Sequence, residues 1–145
     1  MAKAEAPMRQ PNWPRLLSAE IEKAKARTFV YGEFDCMLFC ADVVLTITGI
    51  DYAETLRGYN SSAEAARILS RYGSKADLIT ALLGAEPVHP SRAMRGDVVL
   101  AELRTIDEGM SECAGICLGH QSAFPKDIGL QLAPTLKAVR AWRIE

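Results

Sequence analysis

The chain has 145 residues, 49% apolar and 24% charged, the size and composition of one ordinary globular domain with room for a full core. Seventeen basic and eighteen acidic residues give a net charge of −1 and are interspersed, which excludes the basic footprint of a nucleic-acid-binding protein. No apolar run reaches the roughly 20 residues of a membrane-spanning helix. Met1 to Pro7 lack the apolar core of a secretory signal, so synthesis and folding in a cytoplasm are expected.

Residues 1–12 carry two prolines and no periodicity and read as a flexible or partner-docking arm. Residues 13–145 read as a single domain. Trp13-Pro14 opens a helix running to about Arg27, with Pro14 suited to its first turn. After a turn at Gly32, Asp35 is the N-cap of a second helix. Its apolar face is Cys36, Phe39, Cys40, Val43, Val44 and Ile47, and Gly49 ends it. Ile50 to Tyr59 is a connection with one helical turn. Ser61 to Glu64 form a capping box, which predicts a helix to about Arg71, stopped by Gly73. Ser74 caps another from Lys75 to Leu83, closed by Gly84. Ala85 to Ser91 is a loop that holds His89.

Beyond Arg95-Gly96-Asp97 the apolar period shortens. Five runs, Val98 to Ala101, Cys113 to Leu118, Ser122 to Phe124, Ile128 to Leu132 and Ala138 to Arg143, read as strands. Turns at Asp107-Glu108-Gly109, Gly119-His120-Gln121, Pro125-Lys126-Asp127 and Pro134 separate them. Helices first and an antiparallel meander afterwards predict an α+β fold, with N-terminal helices packed on a C-terminal sheet.

The residue with the clearest chemical potential is Cys36. In the first turn of a helix, a thiol lies at the positive end of the macrodipole, which favours the thiolate. The cysteines form two C-x-x-x-C pairs, Cys36/Cys40 and Cys113/Cys117. Each pair shares one face of its element, so all four can meet in a single seam between helix and sheet. Free thiols in the core are the first expectation, and no cofactor is expected. The alternative is a metal or iron–sulfur site ligated by Cys36, Cys40, Cys113 and Cys117.

Three segments in fixed order carry a family resemblance. Gly32-Glu33-Phe34-Asp35-Cys36 resembles the nucleophile motif of the NlpC-type, papain-like cysteine peptidases of bacterial cell walls. Arg95 to Leu100 resembles their turn into the first central strand. Cys113-Ala114-Gly115-Ile116-Cys117-Leu118-Gly119 resembles their second strand, H-V-G-I-Y-x-G. Together the motifs span about residues 30 to 125. The segments Asp35 to Asp42, Gly115 to Gly119 and Ala141-Trp142-Arg143 further resemble small NlpC-like proteins of phage and prophage tails.

The resemblance implies a papain-like fold with Cys36 as nucleophile. At the family's general-base position, however, stands Cys113, and at its third polar position Phe124 or a neighbour. A thiol nucleophile needs a base within hydrogen-bond reach. His89, in the loop before Arg95-Gly96-Asp97, is the candidate replacement. His120 sits in a turn seven residues beyond Cys113, too far along the strand at about 3.3 Å per residue. The expectation is therefore a virion component of the phage tail tip that keeps the NlpC-like fold without its chemistry. Its expected partners are other tail-tip proteins. The alternative is an active peptidase of the tail tip, with peptidoglycan as substrate.

Overall fold

The computed structural model describes residues 8–105 and 109–145. Four helices come first: α1 (Trp13–Ala24), α2 (Cys36–Thr48), α3 (Ser62–Ser70) and α4 (Lys75–Leu83). Five strands follow: β1 (Val98–Thr105), β2 (Gly109–Cys117), β3 (Gln121–Pro125), β4 (Leu130–Pro134) and β5 (Arg140–Trp142). The chain is α+β, helices N-terminal and sheet C-terminal. The helix starts are set locally. Asp35, Ser61 and Ser74 each accept the backbone N–H three residues on, which pairs a donor that the helix leaves free. In the capping box of α3, Glu64 reaches back to the N–H of Asn60, one residue before the expected partner.

The sheet is antiparallel in the order β4-β3-β2-β1-β5. It corrects the simple meander: β5 returns to the far edge and pairs with β1, Val98 opposite Trp142. Along β1 and β2 the side chains alternate between two cores, as the pleat requires. Val98, Leu100, Ala114 and Ile116 face the helices and pack with Leu17, Phe39, Val43 and Ile47. Val99, Ala101, Cys113 and Cys117 face the other way, with Phe124, Ala138 and Ala141. A third cluster, Leu38, Ala41, Ala53, Leu56 and Leu78, lies under the connection before α3. Trp142 is fully buried and donates from Nε1 to Thr80 Oγ1 at 3.0 Å.

Gly115 shows how tightly β2 and β3 are fitted. A Cβ there would lie 2.4 Å from Phe124 Cδ2 and 2.5 Å from the Ala123 carbonyl oxygen. Gly115→Ala is expected to destabilise the fold by about 1–3 kcal/mol, the usual cost of overpacking. Thermal unfolding followed by circular dichroism checks it.

Part of the expected arm, residues 1–7, and the expected turn at Asp107-Glu108 lie outside the described residues. From Met8 onward the arm is fastened to the domain's own body. The Gln10 N–H donates to the Ile47 carbonyl at 2.7 Å. Arg9 donates to the carbonyls of Ile144 and Arg95 and, at 2.9 Å, to Asp97 Oδ1, while its guanidinium lies 4.3 Å over the Trp13 ring. Asp97, expected as a plain turn residue, is completely buried. Its carboxylate also accepts from the N–H groups of Met94 and Ile144 and pairs with Arg143 Nε at 3.0 Å. Burial pushes this carboxyl up, and those backbone donors and both guanidiniums oppose the push. The Arg-Gly-Asp turn is thus a clasp joining both ends of the domain.

Candidate active-site cleft

The cleft is built from the start of α2. Gly32, at φ +87°, brings the preceding turn so close to the next connection that a Cβ would lie 1.8 Å from the Tyr59 carbonyl oxygen. Asp35 is buried and holds three donors: Leu38 N–H at 2.9 Å, Gly32 N–H at 2.9 Å, and the Tyr59 hydroxyl. Its carboxylate is spent on fixing the helix start and the loop around it. Cys36 is thereby set as the first helical residue, half-buried.

Cys36 opens onto a cavity of about 540 Å³. One wall is apolar, with Met37, Leu56, Ile68, Leu69 and Leu78; Lys75, Glu112 and Cys113 stand at the polar end. Helix α3 buries no residue in the core, so its apolar side serves as a wall of this cavity. Across from Cys36, Cys113 of β2 is buried and lines the same cavity, and Cys36 packs against the cluster to which Cys113 belongs.

That contact dominates the electrostatics. The hydrogen bond with Cys113 lowers the Cys36 thiol to about 7, against the cost of burial and the nearby Asp35. The Lys75 ammonium and the Ala114 backbone N–H pull in the same downward direction. Cys113 shows the mirror effect. Its hydrogen bond to Cys36, burial and the Cys36 charge all push it strongly up. Of the two, Cys36 is therefore the thiol that ionises first. Burial also pushes Cys40 well up, which keeps it a neutral core thiol.

The candidate bases are elsewhere. His89 is exposed, caps the 3₁₀ turn Pro90–Arg92, and accepts the Ser91 N–H at Nδ1. His120 is exposed in the β2–β3 turn, and its carbonyl accepts from Thr135. Neither lines the cavity. The loop of His89 runs beside β5, where Val88 bridges Ala141.

The single seam of four cysteines is corrected as well. Cys40 belongs to the helix-side core and Cys117 to the opposite one, with Cys36 touching both. The alternation of β2 forbids the meeting: Cys113 and Cys117 share the face opposite Ala114 and Ile116, so Cys36 at the very start of α2 packs against their cluster while Cys40 stays on the helix side. Among the described residues no group of three or more Cys, His, Asp or Glu is placed to hold a metal ion. The tetrad Cys36, Cys40, Cys113 and Cys117 is not one.

A family model described as a domain of unknown function (DUF6950) matches residues 8–144. The chain belongs to that family. No curated protein matches it. Two residues of this DUF6950 cleft escaped the sequence reading, Lys75 and Tyr59. Lys75 is the first residue of α4, and its ammonium donates to the Glu112 carbonyl, beside Cys113. Tyr59 has its hydroxyl pushed up by burial and by Asp35, so it stays a neutral donor. Only the helix start at Lys75 was visible locally; its partner is 37 residues away.

The arrangement can form a nucleophile, and among the described residues that line the cleft no imidazole stands beside it. A thiolate adding to a peptide carbonyl must next expel an amine, which leaves only when protonated. The proton donors along the cleft include Cys113, whose raised thiol is a poor acid, Tyr59, which is bonded to Asp35, and the ammonium groups of Lys75 and Lys126. The Lys75 ammonium is held on a backbone carbonyl.

Proposed function

We propose that this protein is an NlpC-like module of a phage tail tip that keeps the peptidase cleft as a binding and assembly surface and has lost hydrolysis. The observation that carries the reading is Cys113, a thiol that lines the cleft beside Cys36 at the position where the resembled peptidases hold their base. The NlpC-type resemblance of Gly32 to Cys36, Arg95 to Leu100 and Cys113 to Gly119 supports the ancestry. The tail-type segments around Asp35, Gly115 and Trp142 support the virion location and tail-tip proteins as partners. No described helix is long and apolar enough to cross a membrane, consistent with a part that assembles by protein contacts.

Complementation of a phage deleted for the gene tests this. A Cys36→Ala allele is expected to restore infectious, fully assembled particles to the wild-type level, while the empty vector restores none. Loss of infectivity with Cys36→Ala in normally assembled tails would overturn it.

The second reading is an active cell-wall cysteine peptidase with Cys36 as nucleophile. The observation in its favour is the Cys36 thiol lowered to about 7 at the mouth of an open cavity. That same infectivity result would speak for it.

A further inference from the structure

Cys36 and Cys113 make a pair that neither peptide cleavage nor scaffolding uses. They stand on different elements, 77 positions apart (113 minus 36), line one open cavity and pack in one cluster. Cys36 is half-buried and open to the cavity, while Cys113 is buried behind it. This is the arrangement of an attacking and a resolving thiol. We propose that Cys36 and Cys113 form a thiol–disulfide exchange site in the cleft, taking a low-molecular-weight disulfide of the glutathione class as co-substrate.

The steps balance. The Cys36 thiolate attacks one sulfur of the disulfide, the S–S bond breaks, and one small thiolate leaves, taking a proton from water. Cys113 then gives up its proton and attacks Cys36 Sγ, expelling the second small thiolate. Two protein thiols are oxidised to the Cys36–Cys113 disulfide, and one small disulfide is reduced to two thiols. The Lys75 ammonium, near the Cys36 charge, favours the attacking thiolate. The apolar wall leaves room for the incoming molecule. The site is independent of which macromolecule the cleft binds.

Cys40, one helical turn from Cys36, is the competing partner. It is buried and kept neutral, and its sulfur lies in the helix-side core rather than in the cavity lining. The closure is therefore assigned to Cys113.

The test treats the reduced full-length chain with glutathione disulfide near pH 7.5 and follows intact mass, then peptide mapping without reduction. The expected course is a transient single glutathionyl adduct on Cys36, followed by loss of the adduct and a linkage between the Cys36 and Cys113 peptides. In Cys113→Ala the adduct should accumulate and persist; in Cys40→Ala the wild-type course should hold. A wild-type adduct as long-lived as that of Cys113→Ala would overturn the proposal. So would a Cys36–Cys40 linkage, or no reaction at Cys36 before denaturation. The linkage in the wild-type map decides the matter even where a variant folds poorly.

Discussion

Asp97→Ala is expected to remove about 3–5 kcal/mol of stability, the cost of leaving a buried charge without its partner. The carboxylate has donors on both oxygens, Arg9 and Ile144 N–H on Oδ1 and Met94 N–H on Oδ2, with the Arg143 charge 3.0 Å from Oδ2. Truncation strands two guanidiniums, one of them nearly buried, and two backbone N–H groups. Asp97→Asn should fare little better, since its amide turns a donor toward two donors. Arg9→Ala should cost less, because both backbone donors and the Arg143 charge still face the carboxylate. Urea unfolding checks this as a fall in midpoint with the slope unchanged. A midpoint within a few tenths of a molar of wild type for Asp97→Ala would contradict the clasp.

The second large effect is expected at Cys36. Cys113→Ala removes the hydrogen bond that does most to lower the thiol, while the cost of burial remains. The alkylation midpoint of Cys36 should rise from about 7 to about 8.5, the ordinary thiol value, or above. At pH 7 that change cuts the thiolate fraction by roughly tenfold or more. The midpoint is the better readout than the rate, because a thiolate of higher pKa is intrinsically more nucleophilic. Cys113→Ser keeps a hydroxyl donor in place and should leave the midpoint low. Lys75→Met should raise it by a smaller step, since Lys75 acts through its charge alone.

Most of the helical half was legible in the sequence because its signals are local. Asp35, Ser61 and Ser74 act on N–H groups three residues away, and Gly49 and Gly84 take the left-handed cap position one residue past the helix. The sheet was legible as five strands but not in its order. The return of β5 to pair with β1 depends on packing Trp142 against Thr80 and Val98, which no turn signal announces.

The site was legible in part for the same reason. Cys36 stands out by its place after a capping Asp and a Gly turn. Its environment is made by residues far along the chain, Lys75 from α4 and Cys113 from β2. Asp97 carries a local signature, Arg-Gly-Asp, that names only a turn. Its chief partners are 88 and 47 residues away, and both lie in terminal segments with little pattern of their own. The seam of four thiols failed because strand alternation and helix face were each read correctly but in isolation. Register decides which face of β2 meets α2, and it gives that face to Ala114 and Ile116.

The central proposal is that this cleft forms a nucleophile at Cys36 and has lost amide hydrolysis. The most direct measurement is release of new amino groups from purified peptidoglycans of several stem-peptide types by the reduced protein, beside Cys36→Ala. The account predicts that the two are indistinguishable, even where alkylation shows the wild-type Cys36 to be largely thiolate. Catalytic release by the wild type, lost in Cys36→Ala, would contradict it.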